Sequence, residues 1–166
     1  MVSLERELNL DVPFRDTYHE AVLNIVRTAS VLSTAGDQLF RQFDLTEAQF
    51  NVLFSLKYNS RRVTQSDLGK RLVVTRASIT SVLDKLEAKG LVERADVPDN
   101  RRIYHVVLTA KGRELVDEVE PIYREKIHEA LSGIEEPDCR RLIAQLERIR
   151  AQAGSLQLQE QEKIAQ

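Results

Sequence analysis

A mainly α-helical fold with one small β hairpin is predicted by three observations. Apolar residues recur at helical spacing over long stretches, between residues 14 and 43 and again between 142 and 149. Two shorter helical segments, 65–72 and 75–89, are separated only by Val73-Val74. Two short runs rich in Val, Ile and Tyr then flank a polar turn, Pro98-Asp99-Asn100-Arg101-Arg102. Helix, tight turn, helix and basic hairpin is the order of a winged helix-turn-helix, here set between long N- and C-terminal helices.

Pro13 fits a first helical turn, and Phe14, Tyr18, Ala21, Val22, Ile25, Ala29 and Leu32 follow as one stripe that Leu39, Phe40 and Phe43 continue. Gly36-Asp37 is a candidate break. Thr46 is a good N-cap for a helix whose apolar face is Phe50, Leu53, Phe54 and Leu56. The polar stretch Asn59-Ser60-Arg61-Arg62 reads as a loop, and Thr64 caps a helix over 65–72. Thr75 caps the next, in which Ile79, Val82, Leu83 and Leu86 fall at i, i+3, i+4 and i+7. Gly90 stops it in the C′ position. Residues 91–95 and 103–108 form the hairpin strands. A long helix from Lys111 to about Ala130 contains Pro121, and a last one opens at Glu135 or Glu136 and runs to at least Arg150. The expected organisation is an N-terminal helical region over 1–44, the winged module over 45–112 and a C-terminal helical region over 113–166.

Charge is distributed unevenly over this plan. Residues 60–111 hold 11 Lys/Arg against 6 Asp/Glu, a net of +5, whereas the rest holds 13 against 20 within a chain of net charge −2. A positive middle between acidic ends is an electrostatic footprint confined to one module. No apolar run approaches the roughly 18–20 residues that cross a bilayer, and the first residues are too acidic for a signal peptide. Cys139 is the only cysteine, which excludes an intrachain disulfide and points to a soluble, cytoplasmic chain.

The helical pair carries the chemistry. With the apolar stripe turned inward, Arg76, Ser78, Thr80, Ser81 and Lys85 are left on the polar sides of the second helix. Small hydroxyls permit close approach to base edges, and Arg76 can fork onto a guanine or reach a phosphate. The Thr75 hydroxyl both caps the helix and can meet a phosphate. Gln65 and Ser66 open the preceding helix, whose free amides can seat another. At the hairpin tip, Arg101 and Arg102 are adjacent and so point to opposite sides of a strand. One reaches double-stranded DNA and the other packs back or pairs with Asp96 or Asp99, with Asp99 and Asn100 as supports of the wing.

The motifs Leu45-Thr46-x-x-Gln49-Phe50-x-Val52-Leu53, Leu68-Gly69-x-x-Leu72, Thr75-x-x-Ser78-Ile79-Thr80, Leu86-Glu87-x-Lys89-Gly90-Leu91-Val92, Asn100-Arg101-Arg102 and Val107-Leu108-Thr109-x-x-Gly112 resemble the MarR family of bacterial transcriptional regulators. The resemblance implies a dimeric winged helix-turn-helix protein, commonly a repressor released from DNA by a small aromatic or phenolic compound. Two positions depart from it: Asn100 stands where relatives carry Asp, with Asp99 one residue earlier, and Ser81 replaces a bulkier basic residue.

Phe14, Tyr18 and Val22 at one end and Leu142, Leu146 and Ile149 at the other are the candidate homodimer contacts, because a small central core cannot cover both stripes. Intertwined terminal helices would set two recognition helices roughly 34–36 Å apart, one turn of DNA. An effector crevice is expected near Tyr18, Val22, Phe50 and Phe54, with Arg27 for a carboxylate. His19, His105 and His128 fall on three separate elements with no ligand spacing, so no metal or cofactor is implied, and no nucleophile elbow or phosphate loop suggests an enzyme. The alternative function is a winged-helix protein-interaction module that never binds DNA.

Overall fold

Leu39 and Phe40 close one apolar helix, Leu45 turns the corner, and Phe50, Val52, Leu53 and Leu56 continue into the next; all seven are buried. The computed structural model describes residues 3–59, 63–72, 76–97 and 100–164. The elements in order are α1 (Leu4–Glu7), α2 (Thr17–Arg41), α3 (Glu47–Lys57), β1 (Val63–Thr64), α4 (Gln65–Arg71), α5 (Arg76–Ala88), β2 (Val92–Val97), β3 (Asn100–Leu108), α6 (Ala110–Ala130) and α7 (Glu136–Ile164). They fall into two compact units, residues 1–123 and 124–166. No helix among the described residues is long and apolar enough to cross a membrane.

In the first unit, α2 starts at Thr17, four residues after Pro13, because the Asp16 side chain accepts from Tyr18 N and caps it there. The helix also runs through Gly36-Asp37 without a break. That pair serves packing instead: Asp37 Oδ1 accepts Glu47 N at 2.9 Å, and a β-carbon on Gly36 would already touch the Phe40 ring at 3.5 Å. The Phe40 ring stacks on Phe50 at 4.4 Å, with Tyr123 of α6 edge-on to Phe50. Burial in this aromatic cluster, with Glu47 nearby, pushes the Tyr123 hydroxyl above its ordinary pKa.

Thr46 forms a reciprocal capping box with Gln49 at the start of α3. At the other end of α3, Lys57 Nζ reaches Asp117 Oδ1 and Glu120 Oε2 of α6, each at 2.6 Å, while Tyr58 O–H donates to Glu120 Oε1 at 2.6 Å. Glu120 is buried, so its charge needs these partners. The hydrogen bonds to Asp117 and then Glu120 hold the Lys57 ammonium well above the ordinary lysine pKa.

The sheet is antiparallel in the order β1-β3-β2. Thr64 and Ala95 flank His105 on either side, and the β2–β3 register shifts between Asp96 and Val97. Two expectations change here. Val63-Thr64 form a third strand, too short to show periodicity in the sequence. Asn100, Arg101 and Arg102 belong to β3 rather than to the turn. Gly90, at φ +69°, ends the segment after α5 in the left-handed conformation its position required.

The second unit holds the end of α6 and all of α7. Its ion pairs, such as Arg141 with Asp138 at 2.9 Å, are exposed. Leu142, Ile143 and Ile149 also face solvent, Leu146 is half-buried, and Cys139 is half-buried with a free thiol.

Candidate nucleic-acid interface

Thr64 and Asp67 cap α4 reciprocally, with Thr64 Oγ1 accepting Asp67 N at 3.2 Å and Asp67 Oδ2 accepting Thr64 N at 3.1 Å. The cap fixes where α4 begins and brings Leu68 down onto α5. Leu68, Ile79, Leu83 and Leu86 are all at most 1% exposed, and Leu72 and Val82 pack at the edge of that core. Gly69 faces Ile79 across the two helices, where a β-carbon would make only ordinary contact with Cγ2 at 3.8 Å. With this stripe inward, helical periodicity leaves Thr80, Ser81 and Lys85 exposed on the outer surface of α5, and Ser66 exposed in the first turn of α4.

Gln65 has a structural role beyond opening α4. Its side chain is half-buried and joins three elements: Nε2 donates to Thr80 Oγ1 at 2.5 Å, and Oε1 accepts the Tyr104 hydroxyl of β3. Arg94 of β2 locks the sheet to α5. It pairs with Asp84 at 2.5 Å and with Glu87, and its guanidinium lies 5.0 Å from the Tyr104 ring centroid. The hydrogen bond to Asp84 raises the Arg94 pKa against the opposing effect of burial. Sequence reading missed Arg94 and Tyr104 as supports. The available signal was Asp84 and Glu87, two carboxylates at i and i+3 beside a strand arginine.

Thr75 and Asp99 lie outside the described residues, as do the side chains of Arg76, Ser78, Asn100, Arg101 and Arg102. The backbone nevertheless places Arg76 and Ser78 in the first turn of α5, and the two arginines near the start of β3.

The expected effector crevice is not assembled within one chain. Phe50 is in the core and Phe54 beside it, whereas Tyr18 is 85% exposed and Val22 53% exposed near the far end of α2. Tyr18 and Phe40 are separated by about six helical turns, or roughly 33 Å. Arg27 pairs with Glu7 at 3.1 Å. An open groove of about 460 Å³ lies elsewhere, on the flank of α5, where Lys85 and Lys89 face Arg41 and Asp44.

A helix-turn-helix whose second helix presents a small-hydroxyl and lysine face, followed by an antiparallel wing, defines a winged helix-turn-helix protein. Comparison with known proteins agrees. Residues 45–104 match the MarR family. The uncharacterized HTH-type transcriptional regulator YdgJ of Bacillus subtilis is 32% identical over 105 residues, an alignment spanning 63% of this chain and 64% of that protein. YkoM from the same organism, also an uncharacterized HTH-type transcriptional regulator, is 29% identical over 81% of this chain and 90% of its own length. The crystal structure of the S. aureus MepR–DNA complex superposes with a TM-score of 0.70 at 25% identity, covering 85% of this chain and 99% of that one. Over residues 45–104 the chain thus carries a MarR-family match, and the relatives and solved structures it resembles are transcriptional regulators of the helix-turn-helix type.

Proposed function

We propose that the protein is a cytoplasmic repressor that binds a pseudo-palindromic duplex operator as a homodimer. The observation that carries this reading is the outer face of α5, where Thr80, Ser81 and Lys85 stand exposed opposite a fully buried stripe. A helix held so firmly by its inner face can enter a major groove without rearranging the core. Arg76, Ser78, Thr75 and Ser66 complete the contact surface in this reading, with Arg101 and Arg102 of the wing against the backbone or minor groove. The MepR structure with DNA supports the same use of the fold.

The terminal regions supply the dimer. Exposed apolar side chains on α2 (Tyr18, Val22, Val26) and on α7 (Leu142, Ile143, Ile149) are more apolar surface than single scattered residues explain. A second copy would cover them, with Phe14 and Leu146 at the edges. The effector in this reading is an aromatic carboxylate or phenol held where α2 meets the partner, near Tyr18 and Val22. A carboxylate would have to displace Glu7 from Arg27.

Titrating a selected operator and a scrambled duplex at matched salt tests the reading. A preference for the operator of at least tenfold is expected, at the low end of the roughly 10³–10⁷ range for specific binders. Equal affinities overturn it, and recovery of a protein partner without any enriched DNA would favour an interaction module instead.

A further inference from the structure

Gln65, Thr80 and Tyr104 come from α4, α5 and β3 and share one side-chain amide. Gln65 Nε2 donates to Thr80 Oγ1, and Tyr104 O–H donates to Gln65 Oε1. Both outer partners are hydroxyls, so the orientation of the amide decides which way each proton in the row points. The Arg94 guanidinium lies over the Tyr104 ring, 5.0 Å from its centroid, and holds that ring in place. In this arrangement the Tyr104 proton goes to Gln65 Oε1. The amide is left with its NH2 toward Thr80.

We infer that Gln65 is a positioning residue that presents Thr80 to DNA as a hydrogen-bond donor. With one lone pair occupied by the amide, the Thr80 hydroxyl keeps its proton for an outside acceptor, and the residue is exposed on the outer face of α5. In the major groove the acceptors are N7 and O6 of guanine, O4 of thymine and N7 of adenine, whereas cytosine presents only its N4 donor. Thr80 should accordingly disfavour cytosine at the base it meets. The inference rests on the DNA-binding reading above and adds the polarity of one contact to it.

The test is selection of duplexes from a random pool by the full-length protein and three variants, with melting curves to confirm that each is folded. Gln65→Glu replaces the NH2 with a second acceptor. The Thr80 proton is then drawn inward and the hydroxyl can only accept from DNA. At one position of the operator, cytosine should turn from disfavoured to favoured while guanine and thymine fall, by about threefold to tenfold, the range for one neutral hydrogen bond. Thr80→Val removes the hydroxyl at nearly constant shape and should flatten preference at that same position. Tyr104→Phe frees the amide to rotate and should let both base classes in. A wild-type consensus that Gln65→Glu and Thr80→Val both leave unchanged overturns this inference alone. A wild type that selects no consensus overturns the DNA-binding reading, and this inference with it.

Discussion

Gly112 lies so close to Leu91 that a β-carbon on it would sit 2.1 Å from the Leu91 carbonyl oxygen. The start of α6 is thereby pinned to the segment that leaves α5. Thr109 N donates to the same carbonyl at 3.2 Å, Thr109 Oγ1 to Gly90 O at 2.8 Å, and Lys111 Nζ to Lys89 O at 2.8 Å. Gly112→Ala must push backbone against backbone, so it should destabilise the protein by about 3 kcal/mol in urea melts. Gly69→Ala is the control. It meets only ordinary contact with Ile79, lies within α4, and should be neutral or stabilising by up to about 1 kcal/mol.

Lys57→Met should cost about 2 kcal/mol, because it takes the cation from a buried Glu120 while Lys57 itself is only 18% exposed. The pH dependence follows from the raised lysine pKa. A group held above its unfolded value contributes fully below that value and loses its contribution as pH climbs through the folded one. The gap between wild type and variant should therefore stay constant from neutral pH to the ordinary lysine value of 10.5 and narrow above it. A gap that closes between pH 7 and 9 would contradict the assignment.

The wing arginines should not be equivalent. Arg101 and Arg102 are consecutive in β3, and consecutive strand positions alternate between faces. One alanine substitution should weaken operator binding and lower the salt slope by about 1, as expected for the loss of one phosphate contact. The other should change little. If neither changes affinity or slope in a salt titration, the wing does not touch DNA.

Dimerisation should be required for tight binding. Leu146→Glu places a charge on the α7 stripe between Leu142 and Ile149, and sedimentation should report monomer or unfolded chain with loss of operator affinity. Wild type that sediments as a monomer at micromolar concentration would refute the dimer.

Aromatic acids and phenols should raise the melting temperature and weaken operator binding in parallel. The two effects are linked only when ligand affinity differs between DNA-competent and incompetent arrangements. A hit that stabilises the protein and leaves operator affinity untouched removes allosteric release from the proposal.

The legibility of the sequence followed the range of the forces involved. Thr46, Thr64 and Gly90 act within one helical turn, and the ends they set are where local chemistry places them. The stripe Ile79, Leu83 and Leu86 repeats with the helix period, so the inner and outer faces of α5 could be assigned before any neighbour was known. The family motifs over 45–112 are legible for the same reason. Tertiary structure decided what depends on residues far apart in the chain. It turned Gly36-Asp37 from a break into a packing contact with α3, and recruited Val63-Thr64 as a strand through pairing with β3. It also tied the half-buried Gln65 side chain to two partners, 15 and 39 residues away. Arg27 likewise met Glu7, 20 residues back, instead of standing free for a ligand. A local pattern states which side chains are polar; only the fold states which of them already have a partner.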